Sequence, residues 1–252
     1  MKAETEPARA DAISRPSPES PEFAAQVRTM FDRIAGVYDL MNSAMTAGMH
    51  HRWRQRAAER AELRAGDAAL DLCCGTGDLA LELARRVGRD GVVVGCDFSE
   101  PMLELARRKA AERGASQARF EWADALELPY EEGSFDAVTV GFGVRNLVDL
   151  ERGLVEMVRV LKPGGRAVIL EITQPRRLPL SAFYSLWFDR VVPLLGAVAG
   201  NRDAYAYLPE SVKRFPAPEG LAAMMAGAGL QRVRYLVLAG GIIAIHSGAK
   251  DG

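Results

Sequence analysis

The sequence predicts an α/β protein built on a doubly wound, mostly parallel, seven-stranded sheet with an antiparallel edge hairpin. Two observations lead to this fold class. Five short apolar runs alternate with helical patterns through the middle of the chain, and such alternation favours right-handed βαβ units. After Gly229 the helical patterns stop, and two further apolar runs, joined through Gly240 and Gly241, predict a terminal hairpin.

The N-terminal part is expected to contain a flexible tail followed by three helices. Residues 1–21 hold four prolines and a single large branched apolar residue, Ile13, so they cannot bury enough surface to offset their ordering entropy. Apolar residues at helical spacing then predict a helix from Phe23, a second around 38–45 and a third around 50–63, with Gly48 before the third.

The remaining elements follow from the apolar pattern and from turn residues. Helices are predicted over 78–87, 101–113 and 150–161, and strands over 68–73, 92–96, 118–122, 135–140, 166–172, 230–238 and 242–246. The run Lys162-Pro163-Gly164-Gly165 predicts a turn. We therefore expect one domain over 22–252, with N-terminal helices (22–64), a core (65–175), a helical insertion (176–216) and a terminal helix and hairpin (217–248).

Composition excludes several classes of protein. The chain has 252 residues, with 32 Lys and Arg against 33 Asp and Glu, and this balance argues against nucleic-acid binding, which needs a surplus of cations. It has no uninterrupted apolar run of transmembrane length and no apolar secretory signal. Three cysteines fit a reducing cytosol better than a disulfide scaffold. We expect a cytoplasmic protein.

A glycine-rich loop is the strongest local signal. Gly75, Thr76 and Gly77 follow the first predicted strand, which carries Asp71, and they open a helix at a place where a ligand can approach the backbone. The second strand ends at Asp97. This combination also describes a dinucleotide site, and a purely structural glycine turn would use the same residues.

Charge separates these alternatives. A pyrophosphate on the loop would face the carboxylates of Asp71 and Asp78, whereas S-adenosylmethionine (SAM) has no phosphate and carries a sulfonium and an α-ammonium, which carboxylates favour. Asp97 can accept hydrogen bonds from both ribose hydroxyls. Asp124 and the amide of Ala125, after the third strand, are placed to bind the adenine. The sequence therefore favours SAM over a nicotinamide cofactor.

Cys73, Cys74 and Cys96 are interpreted as small buried residues. A zinc site would need four ligands, and no histidine or further cysteine lies near them in sequence. No metal site is predicted.

Three further stretches have a specific residue order. They are Tyr38-Asp39-Leu40-Met41-Asn42 with Thr46, His50 and Trp53 after it, Gly143-Val144-Arg145-Asn146, and Arg159-Val160-Leu161-Lys162-Pro163-Gly164-Gly165 leading to Glu171. Together with the glycine loop, they resemble the ubiquinone/menaquinone biosynthesis C-methyltransferases over residues 27–247.

The resemblance implies a fold, a cofactor and a reaction. It implies a class I SAM-dependent methyltransferase with a Rossmann-like core that methylates a ring carbon of a polyprenyl hydroquinone. SAM contacts are implied at Thr76, Asp97, Asp124 and Ala125, and Asp71, Gly75 and Gly77 complete the expected site. We include Gly141, although the family commonly has serine there.

The sequence leaves alternatives open for both the substrate and the class of activity. We expect demethylmenaquinol as the substrate, while a benzoquinol or another small-molecule acceptor fits the same motifs. An NAD-dependent oxidoreductase and a catalytically silent SAM-binding protein are the alternatives from other classes.

Carbon methylation requires loss of a phenolic proton and donors for the resulting phenolate. Arg145 is the candidate to stabilise the phenolate, Asn146 to orient the ring or a water, and His50 to act as the base because of its ordinary pKa. Tyr38 and Asp39 are further candidates. Each has a structural alternative: helix packing for His50, gating for Tyr38 and Asp39, and an ion pair for Arg145. His51 and His246 are expected at the surface or at a sheet edge.

Residues 182–199 form an apolar, aromatic segment that Asp189, Arg190 and Pro193 interrupt, so it does not predict a membrane-spanning helix. We interpret it as a lid that receives the isoprenoid tail and touches the inner face of the cell membrane. A core helix or a homodimer interface would have the same pattern. The expected partner is therefore a prenylated quinol.

Overall fold

A computed structural model of the chain describes residues 20–175 and 202–252. The segment 182–199 and nearly all of the predicted tail lie outside these residues. Seven strands form one sheet, and they are β1 (Ala68–Leu72), β2 (Val92–Asp97), β3 (Ala118–Trp122), β4 (Phe135–Gly141), β5 (Leu161–Ile172), β6 (Leu230–Leu238) and β7 (Ile243–Lys250).

The strand order in this sheet is β3-β2-β1-β4-β5-β7-β6. Strands β1 to β5 run parallel to one another, whereas β7 is antiparallel to both β5 and β6. This arrangement confirms the predicted fold class. The order reverses between β1 and β4, and in doubly wound sheets ligands bind beyond the carboxyl ends of the strands at such a point.

Helices cover both faces of the sheet. In the described residues they are α1 (Pro21–Thr46), α2 (Met49–Arg60), α3 (Asp78–Val87), α4 (Glu100–Glu112), α5 (Leu150–Val160), α6 (Arg202–Arg214) and α7 (Pro218–Gly227), with a short 3₁₀ helix at Val144–Asn146. One core lies under α2, α3 and α4, and the other lies under α5 and α7. Within the described residues, no helix combines the length and the apolar character that a membrane crossing requires.

The prediction of two separate helices before Gly48 is wrong, because α1 is a single helix of 26 residues. Gly36 lies inside this helix, where glycine costs backbone entropy but keeps its backbone hydrogen-bonding groups. The helix begins at Pro21, one residue inside the predicted tail, and Ser20 caps it by accepting a hydrogen bond from the amide of Phe23. It ends where Ala47 takes a left-handed conformation (φ 47°).

Two predictions near the antiparallel edge also need correction. The turn around Gly164 (φ 77°) lies inside the span of β5, where the register with β4 shifts. His246 is buried, not at an edge, because β7 continues to Lys250 between β5 and β6. Its Nε2 lies 2.9 Å from the carbonyl oxygen of Pro218, and burial lowers its pKa.

Close packing of β2 against the ring of Phe120 gives a stability prediction. A Cβ atom added at Gly95 would lie 2.6 Å from Cδ1 of Phe120, so we expect Gly95→Ala to lower the free energy of unfolding by about 1–3 kcal/mol. Gly36→Ala is the matched control, because it adds the same methyl group in open space and should stabilise α1 by about 0.5–1 kcal/mol. Urea denaturation measures both changes. Equal stability of the two variants would contradict this packing.

Candidate functional site

Two adjoining cavities lie at the carboxyl ends of β1, β2 and β4. The outer cavity, of about 310 Å³, is bounded by Asp97, Asp124, Ala125 and the N-terminal part of α1. The inner cavity is bounded by Tyr38, Gly75, Phe142, Gly143 and other residues of α1 and the strand ends. The two cavities share Cys73, Asp97, Phe98, Asn146 and Leu147. Together they form one site of the size typical of small-molecule ligands.

Asp97 fixes the backbone at the centre of this site. Its Oδ2 accepts a hydrogen bond from the amide of Gly75 at 2.9 Å, and its Oδ1 accepts one from the amide of Ser99 at 3.0 Å. Burial raises the pKa of Asp97 to about 6, although these amides oppose the shift. The carboxylate is thereby held between the two cavities, with lone pairs still available to accept ligand hydroxyls.

Asp71 lies at the end of β1, below the glycine loop. Thr139 of β4 donates a hydrogen bond to its Oδ1 at 2.7 Å, whereas its Oδ2 is buried and has no hydrogen-bond partner in the described part of the chain. Burial raises the pKa of Asp71 to about 7. The amide of Ala80, in the first turn of α3, and the charge of Arg54 oppose this shift, so the chain itself compensates part of the cost of burying the carboxylate.

Thr76 joins the glycine loop to α1. Its hydroxyl donates to Asp39 Oδ1 at 2.6 Å and accepts from Lys109 Nζ at 2.9 Å. Lys109 Nζ also lies 2.6 Å from Asp39 Oδ2 and 2.9 Å from Asp78 Oδ1. Although burial opposes it, the charges of Arg54 and Lys109 hold the pKa of Asp78 below its usual range. These bonds fix α1 over the loop.

A second bond connects α1 to the end of β2. The hydroxyl of Ser99 donates to Asp32 Oδ1 at 2.6 Å, and the rings of Phe31 and Phe98 meet edge to face, with centroids 6.2 Å apart. Because Phe31 and Phe98 both line the inner cavity, α1 forms a wall of the site and not a separate appendage.

The other predicted cofactor residues occupy different places around the loop. Asp124 is exposed, and its Oδ1 accepts from the amide of Leu126 at 2.8 Å. Gly77 caps α3 in a left-handed conformation (φ 82°) and lies outside the lining of both cavities. Gly141 also lies outside that lining, and a Cβ atom there would come 3.1 Å from Cδ2 of Leu79.

The three cysteines are free thiols. Burial raises the pKa of Cys73, Cys74 and Cys96 well above the usual range, so they are neutral. Cys73 lines both cavities, where its neutral sulfur adds apolar surface.

The catalytic candidates separate into two groups, and the first lies at the inner cavity. Tyr38 and Asn146 line it, and the hydroxyl of Tyr207 on α6 donates to Oδ1 of Asn146 at 3.0 Å. Arg145 lies behind this wall, where its Nη1 contacts Glu171 Oε1 at 2.7 Å. Burial opposes the charge of Arg145, but Glu171 raises its pKa, so the guanidinium stays protonated.

His50 belongs to the second group, because it lies outside the lining of both cavities. Arg54 Nη1 donates to its Nδ1, and its Nε2 therefore carries the proton and donates to Ser43 Oγ at 3.1 Å. Burial and the charge of Arg54 lower the pKa of His50 to about 4. Both ring nitrogens are occupied, so the structure favours the helix-packing alternative over a catalytic base.

A cluster next to His50 has the composition of a metal site. Ligand atoms of His50, His51 and Asp78 lie within 4.8 Å of one another. Arg54 and Lys109 already bind His50 and Asp78, and two cations at these ligands disfavour a third.

Sequence reasoning did not identify Lys109, Thr139 and Tyr207. Lys109 lies on the amphipathic helix α4 and Tyr207 lies beyond the apolar segment, and neither is part of a motif. The packing of α4 and α6 against the strand ends brings Lys109 and Tyr207 to the site, and the pairing of β4 with β1 places Thr139 beside Asp71.

Comparison with known proteins decides the family. The sequence pattern of the ubiE/COQ5 methyltransferase family matches residues 21–250. The chain belongs to this family. It is 52% identical over 222 residues to a demethylmenaquinone methyltransferase of Thermus thermophilus, covering 88% of this chain and 100% of that protein. It is 41% identical over 235 residues to the ubiquinone/menaquinone biosynthesis C-methyltransferase UbiE of Azotobacter vinelandii, covering 92% of each.

The same fold occurs in a solved SAM-dependent methyltransferase from Aquifex aeolicus. That structure has a TM-score of 0.57 at 18% identity and covers 78% of this chain and 88% of its own. In this ubiE/COQ5 family member the chemistry of the site fits SAM, since the buried carboxylates of Asp97 and Asp71 suit a ligand that has hydroxyl groups and positive charge. Family and fold together make SAM the cofactor, as the sequence predicts.

The pKa of Asp97 gives a binding prediction. If Asp97 binds the ribose, its ionised carboxylate accepts the hydroxyls better than its protonated form does, so the affinity for S-adenosylhomocysteine should fall as the pH drops through 6. The carboxyl of Asp71, with a pKa of about 7, titrates at higher pH, so the change that belongs to Asp97 is the one centred near pH 6. Isothermal titration calorimetry measures this profile. Asp97→Asn should bind more weakly and lose the change centred near pH 6; the same change in that variant would exclude Asp97 as its source.

The buried pair of Arg145 and Glu171 gives a stability prediction. Glu171→Gln leaves the charge of Arg145 without its counter-ion, which should cost about 3–5 kcal/mol in urea denaturation. Glu127→Gln is the control, because Glu127 is 86% exposed in its contact with Arg152 and should change stability by less than about 1 kcal/mol. A similar, small cost for both variants would show that the Arg145 pair is dispensable.

Proposed function

We propose that this protein transfers the methyl group of SAM to a ring carbon of a polyprenyl hydroquinone, with demethylmenaquinol as the substrate and menaquinol as the product. The observation that carries the proposal is the junction of the two cavities. The outer cavity offers Asp97 and Asp124 to an adenosine, and it opens onto an inner cavity with Tyr38 and Asn146 in front of a buried arginine. Relatives bearing the name demethylmenaquinone methyltransferase support this choice of substrate.

The residues of the outer cavity would hold the donor. Asp97 would accept from the ribose hydroxyls, and Asp124 with the amide of Ala125 would bind the adenine. The amides of the glycine loop, through Gly75, border the inner cavity where the reacting end would lie. SAM, when bound, supplies an activated methyl group, so the remaining task of the protein is to align and activate the acceptor.

The residues of the inner cavity would activate the quinol. Loss of a phenolic proton makes the ortho carbon nucleophilic, and the guanidinium of Arg145, whose charge Glu171 compensates in part, would favour that loss by stabilising the phenolate. Tyr207 occupies Oδ1 of Asn146, which leaves the Nδ2 hydrogens of that amide to donate to the phenolate oxygen. Because His50 has no free ring nitrogen, water in the inner cavity would take the proton.

Tyr207 gives a test of this arrangement. Tyr207→Phe removes the hydroxyl that orients Asn146, and we expect kcat to fall about tenfold, since one hydrogen bond is lost. Binding of S-adenosylhomocysteine should stay unchanged. Tyr235→Phe, at an exposed position of β6, is the control and should keep full activity. Full activity of Tyr207→Phe would remove Tyr207 from the mechanism.

The substrate is tested by methyl transfer to demethylmenaquinol and to the corresponding benzoquinol, with mass spectrometry of the products. We expect a C-methylated naphthoquinol. Turnover of the benzoquinol alone would show that the substrate is the benzoquinol of ubiquinone biosynthesis and not demethylmenaquinol. A lack of turnover on both quinols, with S-adenosylhomocysteine still bound, would contradict the proposed function.

We further propose that the protein docks on the membrane surface through the corner between α1 and α2. Leu40 and Met49 are 71% and 45% exposed there, and Arg52 and Arg56 are exposed, one turn apart, on α2. Exposed apolar side chains beside cations are typical of helices that bind an anionic bilayer. A prenylated substrate would then reach the inner cavity along α1, which also carries Tyr38.

Vesicle flotation tests this docking surface. The protein should float with vesicles containing phosphatidylglycerol, and Leu40→Asp should reduce the bound fraction severalfold. Val155→Asp, at a 52% exposed position of α5, is the control and should bind as the wild type does. Equal binding of the two variants would exclude the corner, and absence of binding by the wild type would exclude membrane contact.

A further inference from the structure

The side chain of Lys109 extends from α4 to the place where α1 meets the glycine loop, and it contacts three groups there. Its Nζ lies 2.6 Å from Asp39 Oδ2, 2.9 Å from Asp78 Oδ1 and 2.9 Å from the hydroxyl oxygen of Thr76. An ammonium has three donor hydrogens, so it can serve all three groups. Only 19% of the Lys109 side chain is exposed. One partly buried cation therefore joins α1, the glycine loop and the start of α3.

Asp39 is the group on α1 that receives this contact, and both of its carboxylate oxygens are occupied. Its Oδ1 accepts from the hydroxyl of Thr76 at 2.6 Å, and its Oδ2 pairs with Lys109. Asp39 also lies outside the lining of both cavities. A general base must be within hydrogen-bond reach of the proton it takes, so this carboxylate is placed to hold α1 and not to act on a ligand.

The residue before Asp39 does face the site. Tyr38 and Gly75 both line the inner cavity, and Cε1 of the Tyr38 ring lies 3.9 Å from the position that a Cβ atom would take at Gly75. Two neighbouring residues of α1 thus meet two neighbouring residues of the loop, since Tyr38 lies against Gly75 and Asp39 bonds to Thr76. The contact of Lys109 with Asp39 therefore fixes where the Tyr38 ring stands over the loop.

The first half of α1 has an attachment of its own. Asp32 accepts from the hydroxyl of Ser99 at 2.6 Å, and residues 24–28 of the helix line the outer cavity. Among the described residues, the polar contacts of Lys109 with α1 are confined to Asp39. The wall of the outer cavity and the wall of the inner cavity are therefore held by different polar contacts, although both belong to one helix.

We propose that Lys109 is a positioning residue for the methyl acceptor, because it holds Tyr38 against the glycine loop through Asp39. The Tyr38 ring is the part of α1 against which the quinol would be aligned, and misplacing a reacting group by about 1 Å can slow a reaction about 10²-fold. Binding of the adenosine in the outer cavity does not need this contact. The inference rests on the proposed function, which assigns the inner cavity to the acceptor.

Kinetics and calorimetry together separate alignment of the acceptor from binding of the donor. Methylation of demethylmenaquinol gives kcat/KM, and titration with S-adenosylhomocysteine gives the affinity for the donor side. Both are measured for the wild type, Lys109→Met, Lys109→Arg and Asp39→Ala. Arg108→Met is the matched control, because it removes an exposed cation from the neighbouring position of α4.

We expect Lys109→Met to lower kcat/KM for the quinol about tenfold or more, while the affinity for S-adenosylhomocysteine stays within about threefold of the wild type. Lys109→Arg should stay within about threefold of the wild-type kcat/KM, since it keeps the charge that pairs with Asp39. Arg108→Met should match the wild type in both measurements. A merely structural role of Lys109 would lower the free energy of unfolding without this split.

A double variant shows whether Lys109 acts through Asp39. Asp39→Ala should lower kcat/KM by a factor similar to that of Lys109→Met, and combining the two should add nothing to the larger single loss. Losses that multiply would overturn this route. If Lys109→Met does not fold, Asp39→Ala decides, because it breaks the same contact and leaves Lys109 paired with Asp78. Full activity of Asp39→Ala would then overturn the proposal.

Full activity of Lys109→Met, or an equal loss of kcat/KM and of affinity for S-adenosylhomocysteine, would overturn the assignment and leave the proposed function intact. If the wild type methylates no quinol, the proposed function fails instead, and hydrogen exchange tests Lys109 by itself. Amides of residues 36–46 should then exchange faster in Lys109→Met than in Arg108→Met, and those of residues 21–31 should exchange equally. Equal exchange over 36–46 in the two variants would exclude the role of Lys109.

Discussion

The carboxylate of Asp97 is the constraint on which the site depends. One oxygen holds the amide of Gly75 and the other holds the amide of Ser99, so a single buried side chain fixes both the glycine loop and the start of α4. The two backbone donors offset part of the cost of burying this carboxylate, and they meet it because both loops turn at the same end of the sheet. The cavities open on either side of this group.

Helix α1 completes the site from outside the sheet. Asp32 binds Ser99 and Asp39 binds Thr76 and Lys109, so the helix is attached at two points to elements that Asp97 has already fixed. In each bond the partner on the sheet side, Ser99 or Thr76, is buried, whereas the aspartate on α1 is partly exposed. The wall formed by α1 is therefore attached through side chains, whereas the glycine loop is also held through its backbone amides.

The sequence predicted what is encoded over short distances. The central strands, α3 and the loop around Gly75 follow from local periodicity and turn chemistry, and the fold class follows from their order. The unbroken α1 was missed because the apolar pattern that ends at Ile34 and the one around 38–45 were interpreted as separate helices, whereas the structure has one continuous helix. The environments of His50, Arg145 and Lys109 depend on how separate helices pack against strand ends, and no local pattern records that packing.

Hydrogen exchange of the amides, with and without S-adenosylhomocysteine, tests most directly whether α1 is a wall of the cofactor site. The account predicts that the ligand slows exchange both in the loop around Gly75 and in α1 from Phe31 to Asp39, with no change at the distant edge strand β6. Slower exchange in the loop, β2 and β3 with none in α1 would contradict it, because the helix would then cover the sheet without taking part in binding.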